Sequence, residues 1–124
     1  MIMKALILAA GLGSRLKNNT KNLPKALVRV NKKPIIEYQI NALMNNGIND
    51  IVVVIGKLGN KIIDFFKKYY PEINATFVTN DIYDKSNSSY SFWLASDYLK
   101  DDQYIHLNCD IIFSEELLKM IIEN

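Results

Sequence analysis

The chain alternates short apolar runs with longer segments of mixed polarity. Continuously apolar runs at 3–8 and 51–55, the second made entirely of β-branched residues, predict buried strands of a parallel sheet that is covered on both faces. Less regular apolar runs predict further strands at 75–79 and 104–109. The four strands are separated by stretches long enough to contain helices.

Helical signals fill the intervals between the predicted strands. Pro34 is placed to open the first helix, and Gly47 to end it. Asn60 is a candidate cap for the second helix. The third helix, predicted over 90–99, is apolar on most sides, and we assign its Trp93 to packing. Such a helix needs cover on more than one face, so we expect a neighbouring element or subunit to pack against it.

The order of these elements predicts an α/β fold, a doubly wound and mainly parallel sheet with helices on both faces. Right-handed crossovers then place the loops after the first and fourth strands at the same carboxyl edge, where such sheets bind ligands. A last helix is predicted over 115–123, and its apolar face requires a partner surface. We therefore expect a homo-oligomer or a partner chain to cover that end.

Composition narrows the classes of function. The 124 residues, 49% of them apolar, suit one domain with a hydrophobic core. A formal net charge of +2 is too balanced for non-specific binding of nucleic acid or membrane surfaces. One cysteine and one histidine exclude an intrachain disulfide and a cysteine- or histidine-rich metal site, which fits a reducing compartment. We predict a cytoplasmic protein without a membrane-spanning segment.

The first strand leads into a loop that is typical of phosphate binding. Residues 9–13 read Ala-Ala-Gly-Leu-Gly, and the cations Arg15 and Lys25 follow. Small residues let a ligand approach the backbone, glycines expose N–H donors, and cations balance the charge of a polyanion. Leu16 occupies the third glycine position of the dinucleotide fingerprint, and the Lys-Ser or Lys-Thr pair of a Walker-type loop is missing. The loop therefore favours a nucleoside triphosphate.

Other polar residues have both a functional and a structural interpretation. Asp110 follows the fourth strand and is either a Mg²⁺ ligand or the cap of the next turn. Asn80, Asn87 and Ser88 surround the loop after the third strand and are either turn formers or ligand contacts. His106 is predicted to be a buried structural side chain rather than a catalytic one.

Two sets of motifs resemble a known enzyme family. The sugar-nucleotidyltransferase-like superfamily is marked by Leu-Ala-Ala-Gly-x-Gly-x-Arg with a later Pro-Lys, and this chain is similar to it at 8–15 and 24–27. More narrowly, 34–40, 80–83 and 87–91 resemble the cytidylyltransferase branch that acts on phosphocholine and similar small phosphorylated groups.

The resemblance implies a Rossmann-like nucleotide-diphospho-sugar transferase fold and a role in cell-surface polysaccharide biosynthesis. It implies Mg²⁺-dependent transfer of a nucleotidyl group, CMP from CTP in the narrower branch, to a small phosphorylated acceptor such as phosphocholine or a sugar phosphate. Pyrophosphate would be held by Arg15, Lys25 would bridge the phosphates of donor and acceptor, and Asp110 would bind Mg²⁺. The residues expected to bind the nucleotide are Leu8, Ala9, Ala10, Gly11, Gly13, Asn80, Asn87 and Ser88.

The family domain also continues well beyond this length, with an acceptor pocket and a second metal-binding aspartate. The chain is therefore expected to form a single domain over 1–124 that corresponds to the front part of the family domain. Two hypotheses follow. The chain is a nucleotidyltransferase whose missing half is supplied or dispensable, or it is a non-catalytic nucleotide-binding fragment or assembly module.

Overall fold

The computed structural model describes residues 3–10, 23–81, 88–99 and 103–108, together with Met120. Its strands are β1 (Met3–Ala9), β2 (Arg29–Val30), β3 (Lys33–Pro34), β4 (Asp50–Ile55), β5 (Asn74–Thr79) and β6 (Gln103–Asn108). Its α-helices are α1 (Ile35–Asn45), α2 (Gly59–Tyr69) and α3 (Ser88–Ala95), with 3-10 turns at Lys25–Leu27 and Ser96–Tyr98. None of the helices in these ranges is long and apolar enough to cross a membrane.

Four strands form a parallel sheet in the order β5-β4-β1-β6. The central strand is β1, in which Ile7 is paired with Val53 of β4 on one side and with Leu107 of β6 on the other. Strand order reverses at β1, so the carboxyl ends of β1 and β6 form the topological switch point of the sheet. The predicted doubly wound, parallel α/β fold is confirmed.

Helices cover both faces of the sheet because successive side chains of β1 point in opposite directions. Ala5 and Ile7 belong to a core cluster that also contains the buried residues of α1 and α2. Leu6 and Leu8 belong to a second cluster, which includes Ala95 from α3. The continuous apolar run of β1 therefore reflects burial on both sides.

The helix boundaries follow most of the signals in the sequence. Gly47 has a φ of 80° and lies just after the end of α1, as predicted. Pro34 precedes α1 and belongs to β3, so it is not the first helical residue. The predicted cap at Asn60 is wrong, because α2 begins at Gly59 and its N-cap is Leu58, in the left-handed region with a φ of 65°.

The outer side of α3 exposes aromatic rings. Trp93 is 66% exposed and stacks on Tyr90 with ring centroids 5.8 Å apart, so the assignment of Trp93 to packing is wrong for the described residues. His106 is also exposed, with its ring 6.1 Å from that of Phe92, and its predicted burial is wrong. The reason is that α3 lies over β1 and β4, leaving this face of β6 less covered. Subunit packing on α3 stays a prediction, and the helix predicted over 115–123 lies outside the described residues except for Met120.

Gly59 is required where α2 packs on the end of β4. A Cβ atom at this position would lie 2.8 Å from both Cβ and Cδ1 of Ile55. We expect Gly59→Ala to lower the free energy of unfolding by about 1–3 kcal/mol in denaturant titrations, because the core must shift to admit the methyl group. The double variant Gly59→Ala/Ile55→Val should recover part of this loss, since valine lacks Cδ1. Strictly additive losses would contradict the packing explanation.

Tyr70 ties the end of α2 to α1 and has an unusual pKa. Its hydroxyl donates a 2.8 Å hydrogen bond to Oδ1 of Asn41. Burial raises the pKa of the Tyr70 phenol to about 12, and the carboxylates of Glu37 and Glu72 add to the rise. Below about pH 10 the phenol is protonated in both the folded and the unfolded chain, so its contribution to stability is fully present.

Between about pH 10 and 12 the unfolded chain releases the Tyr70 proton while the folded chain keeps it, so stability must fall as the pH rises. We expect the difference in unfolding free energy between the native chain and Tyr70→Phe to shrink across this window. Urea titrations at a series of pH values would measure it. An identical pH slope in both proteins would contradict the raised pKa.

Candidate functional site

The carboxyl end of β1 forms the centre of the candidate site. Leu8 is paired with Asn108 of β6, and Ala9 is paired with Ile55 of β4. The side chains of Leu8, Ala9 and Ala10 are buried, with exposures of 7%, 1% and 8%. A ligand at this edge would therefore meet the backbone of these residues, and their small or inward-facing side chains allow a close approach.

Gln39 is a residue of the site that sequence reasoning did not single out. Its side chain is fully buried, and its Nε2 donates a 2.8 Å hydrogen bond to the backbone carbonyl of Asn108. This contact joins α1 to the last residue of β6. A signal was present in the sequence, because an amide stands among the core-facing residues Ile36 and Ile40 of an amphipathic helix, and a buried amide requires a specific partner.

Replacing Gln39 by leucine should lower the free energy of unfolding by about 1–3 kcal/mol, because the Asn108 carbonyl loses its donor. Denaturant titration measures this loss. Asn60→Leu removes an exposed amide from α2 in the same way and should change stability by less than about 0.5 kcal/mol. Equal stability of Gln39→Leu and the native chain would show that the contact is dispensable.

Lys25 lies on a short turn that is anchored in the core. The turn is closed by backbone hydrogen bonds from Leu27 to the Pro24 carbonyl and from Val28 to the Lys25 carbonyl, at 3.0 and 3.1 Å. Ala26 is fully buried and belongs to the same core cluster as Ala9. Lys25 itself is half-buried, so the fold holds the backbone of this predicted catalytic cation on a rigid element.

Asn80 links the sheet to α3. It lies just after β5, where its backbone N–H donates to the Ile55 carbonyl at 2.8 Å. Its side chain is 1% exposed, and Nδ2 donates to the hydroxyl of Ser91 at 3.0 Å. These contacts position the first turns of α3 at the carboxyl edge. Contact between Asn80 and a nucleotide stays a prediction.

Several predicted site residues lie outside the part of the chain that the structure describes. They are Gly11, Gly13, Arg15, Asn87 and Asp110, together with the side chain of Ser88. Their proposed roles stay predictions. Among the described residues, no group of three or more His, Cys, Asp or Glu side chains could hold a metal ion.

Comparison with known proteins identifies the family. The family model described as a MobA-like NTP transferase domain matches residues 5–124. The chain belongs to this family. Both the open switch point of the sheet and the Gly-x-Gly-x-Arg loop are therefore features of a nucleotidyltransferase, and the predicted superfamily is confirmed.

Within the nucleotidyltransferases, similar proteins transfer cytidylyl groups according to their names. The chain is 48% identical over 103 residues to choline-phosphate cytidylyltransferase of Streptococcus pneumoniae, covering 83% of this chain and 43% of that protein. It is 39% identical over 126 residues to CTP:phosphoglutamine cytidylyltransferase of Campylobacter jejuni, covering 97% of this chain and 48% of the relative.

A solved structure shows the same fold. CTP:phosphocholine cytidylyltransferase from Streptococcus pneumoniae superposes with a TM-score of 0.76 and 40% sequence identity, covering 94% of this chain and 50% of the other. The chain thus spans about half the length of the nucleotidyltransferases it matches.

Proposed function

We propose that this chain provides the CTP-binding part of a cytidylyltransferase that transfers CMP to a small phosphorylated acceptor and releases pyrophosphate. The observation that carries the proposal is the sheet edge at the ends of β1 and β6. Buried Ala9 and Ala10 there lead directly into Gly-Leu-Gly-Ser-Arg. Cytidine as the donor base, and phosphocholine or a sugar phosphate as the acceptor, are supported by the names of the similar proteins and by the motif resemblance.

The chemistry required of the chain is mainly the positioning of two anions. A phosphate oxygen of the acceptor forms a bond to the α-phosphorus of CTP, the bond between that phosphorus and the bridging oxygen breaks, and pyrophosphate leaves with the electron pair. Backbone N–H groups around Ala10 and Gly11 would orient the triphosphate. Arg15 would neutralise the leaving pyrophosphate, and Lys25 would lie between the phosphates of donor and acceptor. No protein nucleophile is needed.

Mg²⁺ is the cofactor that we propose for this site. β6 ends at Asn108, paired with Leu8 of β1, and Asp110 follows two residues later in the sequence. A carboxylate after this strand suits an ion that prefers oxygen ligands, with water and the triphosphate as its other ligands. When bound, the ion would offset charge on the triphosphate.

The second candidate function is a nucleotide-binding module without its own acceptor site. It is favoured by one observation, namely that the chain spans 43% and 48% of the length of the two cytidylyltransferases. In this case the triphosphate contacts are kept, and the groups that hold the acceptor come from another polypeptide or are absent.

Pyrophosphate release separates the two candidates. The chain is incubated with Mg²⁺, each of CTP, UTP, GTP and dTTP, and either phosphocholine or a sugar 1-phosphate, while calorimetry measures nucleotide binding. Release that requires CTP and an acceptor, and that EDTA abolishes, is the expected result. Binding of CTP without release with any acceptor would overturn the enzyme and support the module. Absence of binding to any triphosphate would overturn both.

A further inference from the structure

A second groove, away from the ends of β1 and β6, lies between the β2–β3 hairpin and α2. It has a volume of about 460 Å³ and is open to solvent along one side. From Lys61 to Tyr69 it follows α2 for roughly 12 Å, given the rise of an α-helix. That length corresponds to about four residues of extended polypeptide.

The floor of this groove is apolar. Leu23 and Leu27 line it from the hairpin side, and Phe65 and Tyr69 line it from α2. The two aromatic rings pack together with centroids 4.9 Å apart, and 53% of the Tyr69 surface remains exposed. An apolar side chain seated here would be removed from water against leucine and aromatic surface.

The walls of the groove are predominantly basic. Five cations and two carboxylates are among the lining residues, an excess of three positive charges, whereas the whole chain carries only +2. The cations are Arg29, Lys32, Lys33, Lys61 and Lys68, and the carboxylates are Glu37 and Asp64. One carboxylate is already matched, because Glu37 lies 3.7 Å from the Lys33 ammonium. The positive charge of the protein is therefore concentrated on this surface.

The hairpin presents its cations at a conformational cost. Asn31 and Lys32 form its turn with φ angles of 53° and 70°, in the left-handed region where the second position normally takes glycine. Arg29 Nη1 donates a 2.8 Å hydrogen bond to the Lys32 carbonyl and braces the turn. Lysine at a left-handed position is disfavoured sterically, so an observed cation there points to a role for its charge.

We propose that this groove binds an acidic polypeptide segment that carries a leucine or aromatic side chain. The carboxylates of the segment pair with the basic walls, and its apolar side chain occupies the floor between Leu27 and Phe65. A polypeptide fits better than a small anion, because small-molecule sites bury most of their ligand and this groove is open and elongated. It also fits better than a nucleic acid strand, because a continuous phosphate backbone would pass Asp64, whereas a peptide can space its charges. The site lies apart from the proposed nucleotide chemistry and does not depend on it.

Fluorescence anisotropy with a labelled peptide Asp-Glu-Leu-Asp-Glu-Phe-Asp-Glu tests this proposal. Binding is expected to weaken as salt is raised, and to be lost when Leu and Phe of the peptide are replaced by serine or when lysines replace its acidic residues. Lys68→Glu should weaken binding about five- to tenfold. Lys67→Glu changes the same charge in the same last turn of α2 outside the groove, and it should change binding by less than about twofold.

Lys32→Gly separates binding from stability. Glycine relieves the left-handed strain, so the melting temperature should be unchanged or higher while peptide affinity falls. Equal effects of Lys67→Glu and Lys68→Glu would show a non-specific charge effect and overturn the proposal. Displacement of the peptide by equimolar pyrophosphate or oligo-dT would overturn it in favour of a small anion or a nucleic acid, and no binding of the peptide would overturn it outright. CTP binding measured in parallel should be the same in all three variants, so failure here is distinct from failure of the proposed function.

Discussion

Lys25→Ala should weaken CTP binding about ten- to a hundredfold, the equivalent of a charge-assisted contact of about 1.5–3 kcal/mol. Lys25 begins a turn whose hydrogen bonds are made by backbone groups, so alanine removes the ammonium without removing the bonds that close the turn. The neighbouring Ala26 keeps the turn anchored in the core. Isothermal titration calorimetry with CTP, and with Mg²⁺ present, would measure the loss.

Lys67→Ala is the matched control for Lys25→Ala. Lys67 is exposed in the last turn of α2, and its removal changes net charge equally. Its affinity for CTP should stay within about twofold of the native value. Arg15→Ala should also weaken binding, because we assign Arg15 to the leaving pyrophosphate. Native affinity in both Lys25→Ala and Arg15→Ala would show that the triphosphate loop has been misassigned.

Ile7→Ala should produce the largest loss of stability, about 2–5 kcal/mol of a total that is typically 5–15 kcal/mol for a domain. Ile7 is fully buried at the centre of the sheet, between Val53 and Leu107. Its truncation leaves a cavity beneath α1 and α2 that neighbouring strands on both sides prevent from closing. Denaturant unfolding followed by far-UV circular dichroism would measure the change.

Val30→Ala provides the comparison for Ile7→Ala. Val30 is 37% exposed in the small β2–β3 hairpin, outside both core clusters. Its truncation should cost less than about 1 kcal/mol. A loss at Ile7 no larger than the loss at Val30 would contradict the assignment of β1 as the structural centre of the fold.

The strands of the sheet could be predicted because their sequences are apolar enough to exclude other structures. Ile51, Val53 and Ile55 lie on one face of a strand whose opposite face is also buried, and β-branching favours extended backbone at each position. The end of α1 was also predictable, because Gly47 takes a left-handed φ. Each of these features depends on local chemistry.

Burial at the edge of the sheet could not be predicted in the same way. Trp93 and His106 have apolar or alternating neighbours in sequence, yet both are exposed in the structure. Their exposure depends on where α3 crosses the sheet, which is set by packing against β1 and β4. Helix starts were also uncertain, because Leu58 adopts a left-handed conformation that no single-residue preference indicates.

By itself, the sequence determined the class of fold and the class of ligand, because strand patterning and the Gly-x-Gly-x-Arg loop are local properties of consecutive residues. Only the tertiary structure decided the strand order β5-β4-β1-β6, and with it the position of the switch point beside β1. It also revealed the contact of Gln39 with Asn108, and the basic groove between the hairpin and α2. These features join residues that are far apart in sequence, and packing rather than local preference brings them together.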